Sequence, residues 1–311
     1  MMKKSKKGSS RLAVLSAAAI FAAGMVIAAP AAFAADEQPA AAPAAQSQQA
    51  VGPAEQAFND ASASLKKGDF QAAVDGYTKS IGLDSSQPSP YFYRAAAYMN
   101  LKNLDAAIAD YTQAISLKPD LLPAYFQRGL AYAYSQKYDE SIADFSKIIT
   151  DKPDAAVAYT ARGNVYAVQQ KFDVAMEDFN KAISIDPKNL EAYNDRGRLY
   201  AAQQKYDEAI ADFTTVIQTE DKYLPAYNER GVVYADKGEF DKAIADFDKA
   251  ISLNAQYPDS YLNKALVCEQ AGKYQEALDA YDKLTPFVAD QDKEKLQQAK
   301  DKIKGEMSQK K

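Results

Sequence analysis

A period of 34 residues governs this chain. Ala124-Tyr125-Phe126-Gln127-Arg128-Gly129 returns as Ala158-Tyr159-Thr160-Ala161-Arg162-Gly163, and again as Ala192-Tyr193-Asn194-Asp195-Arg196-Gly197. The second half of the unit keeps the same step, in Tyr138 to Phe145, Phe172 to Phe179 and Tyr206 to Phe213. One copy of this length cannot enclose its own apolar face, so copies must stack on one another. Inside the unit the spacing is helical. At about 100° per residue, Tyr125, Arg128, Gly129 and Tyr132 share one side of a helix, and Phe126, Gln127, Leu130, Ala133 and Tyr134 cluster on the other. This predicts that one side packs while the other is offered to a partner.

Regular copies begin at Pro88, Leu122, Ala156, Leu190 and Leu224, with a further copy from Pro258. Each has an aromatic near its start (Tyr91, Tyr125, Tyr159, Tyr193, Tyr227, Tyr261) and a small residue four positions on (Ala95, Gly129, Gly163, Gly197, Gly231, Ala265). A ring recurs in the second half at Tyr111, Phe145, Phe179, Phe213 and Phe247, behind Ala107, Ala175, Ala209 and Ala243. Pro119, Pro153 and Pro187 close three of the units. This pattern resembles the tetratricopeptide repeat family over residues 54–284. The resemblance implies an all-α, right-handed α-solenoid of about seven helical hairpins: 54–87, 88–121, 122–155, 156–189, 190–223, 224–257 and 258–284. Asp221 and Ala255 in place of the closing proline, and Ser141 in place of the small Ala, are expected to weaken single joints.

The flanks have other characters. Residues 1–34 read as a bacterial Sec signal: Lys3, Lys4, Lys6, Lys7 and Arg11, an Ala-rich apolar run from Leu12 to Ala29, and Ala32-Phe33-Ala34 as the cleavage site. The expected location is therefore periplasmic or secreted, the alternative being a retained membrane anchor. Residues 35–53, rich in Ala, Pro and Gln, read as a flexible linker. After Thr285-Pro286, residues 285–311 carry Leu296, Ala299 and Ile303 at helical spacing, as a helix covering the last hairpin would.

Charge and composition narrow the function. The whole chain carries −5; residues 1–34 hold five cations and no acid, so without them 32 Lys and Arg face 42 Asp and Glu, a net −10. Such a field repels nucleic acid. There is no His and one Cys, Cys268, which occupies a slot held by Tyr in the five preceding copies and reads as a small buried hydrophobe. Without His, a second Cys or a Gly-rich loop opening a helix, the chain offers no nucleophile–base pair, metal site or phosphate cradle. An enzyme is not expected, nor a cofactor.

A second periodic pair links the two halves of each unit. Arg94, Arg128, Arg162, Arg196 and Arg230 precede Asp110, Asp144, Asp178, Asp212 and Asp246 by sixteen residues, and both partners are missing from the first and the last copy. Their joint loss predicts ion pairs within each unit, worth about 0–1 kcal/mol each if partly exposed, and not a ligand ladder.

The family resemblance implies a concave groove lined by first helices that takes an extended peptide or a helix of a partner protein. Carried onto this chain, the lining is Phe92, Tyr93, Met99, Phe126, Leu130 and Tyr134, then Asn164, Asn194, Asp195, Arg198, Asn228, Glu229 and Asp236. Its character passes from aromatic to polar, which suits a partner with an apolar segment followed by a polar or basic one. The carboxylate clamp of some family members is not expected, since Thr160 stands where its Lys would and Asp195 where its second Asn would. The expected function is a non-catalytic protein-interaction scaffold of the cell envelope. The alternatives are a self-assembling structural protein and a receptor for a glycan or peptidoglycan fragment.

Overall fold

The computed structural model describes residues 52–309; the signal-like segment and nearly all of the linker lie outside them. Among the described residues there are fifteen α-helices and no strand. They fall into two compact units, 52–189 and 190–309.

The unit 52–189 contains α1 (Pro53–Lys66), α2 (Phe70–Leu83), α3 (Pro88–Asn100), α4 (Leu104–Leu117), α5 (Leu122–Tyr134), α6 (Tyr138–Asp151), α7 (Ala156–Val168) and α8 (Phe172–Ile185). The unit 190–309 contains α9 (Leu190–Ala202), α10 (Tyr206–Thr219), α11 (Leu224–Asp236), α12 (Phe240–Leu253), α13 (Pro258–Gln270), α14 (Tyr274–Leu284), a short 3₁₀ turn (Thr285–Phe287) and α15 (Asp290–Gln309). Helices pair as consecutive hairpins, and each hairpin's second helix packs on the first helix of the next one within its unit.

Two kinds of turn make this arrangement. Inside each hairpin the chain reverses through one residue in the left-handed region. That residue is Gly68, Gly238 or Gly272 in three hairpins and Lys102, Gln136, Gln170 or Gln204 in the other four. The amide after Gln136, that of Lys137, donates back to the Tyr132 carbonyl at 2.8 Å, which closes the helix end. Between hairpins a tight turn repeats: Leu121 N–H donates to the Lys118 carbonyl, Ala155 to Lys152, Tyr223 to Glu220 and Tyr257 to Asn254. Pro119 and Pro153 stand second in the first two of these turns, where a fixed φ suits them. Asp221 and Ala255 hold the same turn without it.

Each hairpin closes around a ring. Phe145, Phe179, Phe213 and Phe247 are fully buried, as are Tyr77 and Tyr111. Gly129 lets α5 approach α6 this closely: a Cβ there would stand 2.9 Å from the Phe145 ring. In the first hairpin the small residue has changed helix, and a Cβ on Gly76 would meet that of Ala61 at 2.7 Å. Ser141 does not loosen its joint. Its buried hydroxyl donates to the Gly129 carbonyl at 2.7 Å, adding a bond between the two helices that Ala could not make.

At the C-terminal end, Ile303 of α15 is fully buried in a cluster built from α11 to α14, with Leu296, Ala299 and Met307 packed against it. Lys302 pairs with Glu269 at 2.6 Å, and Lys300 pairs with Asp282. Cys268 lies inside the same cluster. Burial pushes its thiol up to about 11, so little thiolate forms near neutral pH.

Candidate functional site: the first-helix faces

The periodic Arg–Asp pairs form in all five copies. Nε and Nη2 of Arg128 donate to the two oxygens of Asp144 at 2.9 and 2.7 Å, and Arg94–Asp110, Arg162–Asp178, Arg196–Asp212 and Arg230–Asp246 repeat that fork. Both side chains of each pair are largely buried, which lifts them above the surface pairs that the spacing suggested. Two further contacts lock the guanidinium. Nη1 of Arg94, Arg128, Arg162 and Arg230 donates to Thr78, Thr112, Ser146 and Thr214 on the second helix of the preceding hairpin, at 2.9 to 3.0 Å. The plane of Arg128 lies between Tyr125 and Tyr132, at 5.4 and 5.7 Å from the ring centres, and Arg162, Arg196 and Arg230 are sandwiched in the same way. Each arginine thus ties helices together and is not available to a ligand. The sequence carries this signal as Thr or Ser sixteen residues before Arg94, Arg128, Arg162 and Arg230.

The residues expected to line the groove divide by burial. Met99, Phe126 and Leu130 are buried, as are Asn194, Asp195 and Asn228. Phe92, Tyr93, Tyr134, Asn164, Arg198 and Glu229 keep partial exposure, and Asp236 is exposed. The expectation that the Phe126 side of α5 is offered outward is therefore corrected. A first helix packs on its own second helix and on other first helices (α5 meets α7), so both of its sides find neighbours. Phe126 meets Phe145 edge-on, with centres 5.4 Å apart, and becomes part of the core.

Two features of these faces are accessible, one in each unit. In 52–189 a cavity of about 640 Å³ opens beside α1 and α3, lined by Phe58, Pro88, Pro90, Phe92, Tyr93 and Leu121, with Glu55 and Lys118 among its polar groups. Its rings are mutually fixed: Tyr93 stacks on Tyr77 at 6.1 Å and meets Phe58 and Phe92 edge-on at 5.7 and 5.2 Å. Of the predicted lining only Phe92 and Tyr93 reach this cavity. The two prolines open α3 and Leu121 immediately precedes α5, positions at helix starts that helical periodicity does not place.

In 190–309 the face of α9 and α11 is charged. Arg198 donates from Nε and Nη2 to Glu229 Oε1 at 3.1 and 2.9 Å, and Nη1 lies 3.4 Å from Asp195 Oδ1. Glu191 stands nearby, where surrounding protein and the Asp195 carboxylate push its own carboxyl above the usual range. Tyr223 is pushed up to about 12, by burial first and then by Asp195 and Glu191. One repeat along, Asn228 Oδ1 accepts from Ser260 Oγ at 3.2 Å and Asn263 Nδ2 at 3.3 Å.

The fold and the faces together define an array of α-hairpin repeats with sites on its first helices. Sequence comparison gives the family. Profiles described as tetratricopeptide repeat match residues 88–121, 122–154, 194–260 and 228–292, and one described as TPR repeat matches 163–204, together more than half of the chain. The chain belongs to the tetratricopeptide repeat family. No curated protein matches it significantly.

Among solved structures, it is similar to a tetratricopeptide repeat protein from Parabacteroides merdae ATCC 43184, with 18% identity and a TM-score of 0.64 over 81% of this chain and 98% of the other. PilW, a widely conserved type IV pilus biogenesis factor, matches at 22% and 0.59 over 64% and 92%. MamA from Desulfovibrio magneticus RS-1 matches at 20% and 0.51 over 56% and 99%. At these identities the likeness is one of fold.

Proposed function

We propose that this protein is a non-catalytic interaction scaffold of the bacterial cell envelope that holds an apolar segment of a partner protein against α1 and α3. The observation that carries this is the cavity of about 640 Å³ lined by Phe58, Pro88, Pro90, Phe92, Tyr93 and Leu121. Its size is that of a side-chain or small-ligand pocket, and its aromatic lining is the kind that apolar anchor residues fill. The ring contacts hold it open, so little ordering is required on binding. The envelope assignment rests on the signal-like residues 1–34, with retention as an anchor as its alternative; among the described residues no helix is long and apolar enough to cross a membrane. Non-catalytic action is supported by a sequence without His and by a lone thiol sealed in the core.

A photocrosslinker at Phe92, used in the native cell and read by mass spectrometry, tests the reading. One discrete protein should be captured, and lost when Tyr93 is changed to Ala in a chain that keeps its helical circular dichroism. Capture of further copies of this chain alone would overturn the proposal in favour of self-assembly.

A further inference from the structure

The aromatic cavity of 52–189 is built in part from the first described residues of the chain. Gly52, Ala54, Glu55 and Phe58 line it together with Phe92 and Tyr93 of α3. The chain's approach to the cavity is fixed. The buried Ser80 hydroxyl of α2 donates to the Ala54 carbonyl at 2.8 Å, and the Gly52 carbonyl accepts from the Gln56 amide at 2.8 Å. Gly52 itself is extended, at φ −64° and ψ 154°, as suits the residue before a proline. Whatever precedes Gly52 therefore starts at the cavity.

The sequence just before Gly52 matches the cavity in chemistry. Residues 38–51 carry no charge, and they offer Pro39, Pro43 and Val51 among small alanines. Being uncharged, they are not repelled by Glu55 or Asp84 in the cavity lining. Prolines in an extended segment are what aromatic-lined grooves take up. Reach is no obstacle. Pro43 stands nine residues before Gly52, so at about 3.3 Å per residue it can lie anywhere within about 30 Å of it. A segment tethered this closely meets the cavity at an effective concentration in the millimolar range. A contact too weak to hold a free peptide then suffices.

We infer that residues 38–51 of the chain itself occupy this cavity, with their prolines against its rings, until a partner's apolar segment displaces them. The displacement rests on the reading of the cavity as a partner site; the self-docking does not. Such a contact keeps the rings covered before the partner arrives. It also lowers the apparent affinity for the partner by the fraction of cavities left open. The same segment from a second copy is disfavoured, because it lacks the tether.

The test is photocrosslinking in the full chain purified from the native cell, as a mixture of unlabelled and isotope-labelled protein. The crosslinker stands at Gln87, a lining residue whose replacement leaves every ring in place, or at Gln71, an exposed residue of α2 outside the lining. Mass spectrometry should find Gln87 joined to residues 38–51 of the same molecule, at least about tenfold more often than Gln71, the excess that an effective concentration set by docking gives over chance encounter. Equal yields from the two positions, or no link to 38–51, would overturn the inference. Links between labelled and unlabelled molecules would also overturn it, by making a second copy the occupant. Replacing residues 38–51 with a Gly-Ser stretch of equal length should raise partner capture at Phe92 in the cell at least about twofold; unchanged capture would overturn the displacement. Capture at Phe92 without self-links at Gln87 defeats this inference alone, and self-links without capture defeat the partner reading alone.

Discussion

The fifth residue of each first helix offers a direct comparison between the two units. In α3 and α5 of 52–189 it is Phe92 and Phe126, and each ring meets the buried ring of its own hairpin's second helix, Tyr111 at 5.5 Å and Phe145 at 5.4 Å. In α9 and α11 of 190–309 it is Asn194 and Asn228, and the amide of Asn228 reaches sideways to the next first helix. One backbone geometry is therefore held by two kinds of contact, dispersion within a hairpin or hydrogen bonds between hairpins. The first is strong and independent of the next hairpin; the second is weaker and depends on what the next first helix offers, and the Asn194 Oδ1 finds no donor.

The largest way to break this comparison is truncation of the ring. Phe126→Ala should cost about 3–5 kcal/mol in chemical denaturation, and a loss below 1 kcal/mol would show that the ring is not core. The shared Arg–Asp fork should come next. Asp178→Ala leaves Arg162 largely buried against Ser146 and two tyrosines, and should cost about 2–4 kcal/mol. Arg162→Lys should recover only part of the fork's value, because an ammonium cannot make it. Asn228→Ala, by contrast, should cost only about 1 kcal/mol.

Alkaline pH distinguishes contributions within 190–309. Tyr223 and Tyr281 are both pushed up to about 12 by burial, against about 10 in the unfolded chain. The folded state keeps these protons longer, so the stability they contribute is complete below pH 10 and is lost as pH rises toward 12. Tyrosinate absorbance should therefore rise together with loss of helical signal in that window, and Tyr223→Phe should move the transition to higher pH. The smallest effect is a gain. Gln136→Gly and Gln170→Gly, at φ of 59° and 60°, should each stabilise by about 0.5–1 kcal/mol, as Gly68 and Gly238 already serve at the same turn. A lowered Tm would show that these glutamines hold the turn by their side chains.

Much of the molecule was legible in advance because its determinants are local and repeat. The hairpins follow from apolar periodicity, and the Arg–Asp forks follow from two charges that recur and vanish together. The sites were less legible. Of the expected groove lining, Phe92 and Tyr93 border the aromatic cavity, which the sequence did not suggest, whereas Met99, Phe126 and Leu130 are buried. Asp195, Arg198 and Glu229 were placed together on the polar part of the groove, but nothing in their spacing shows that Arg198 bridges α9 and α11.

The sequence by itself determined the repeat unit, its two helices and the bonds within it, since residues sixteen apart in one hairpin meet whatever the neighbours are. Only the tertiary structure decided which side chains remain accessible. A first helix is covered from several directions, and its exposure depends on residues of the next first helix, 32 and 35 positions on from Asn228. Ser260 satisfies Asn228, whereas Ala226 leaves Asn194 without a donor, and that difference exists only once the hairpins are stacked.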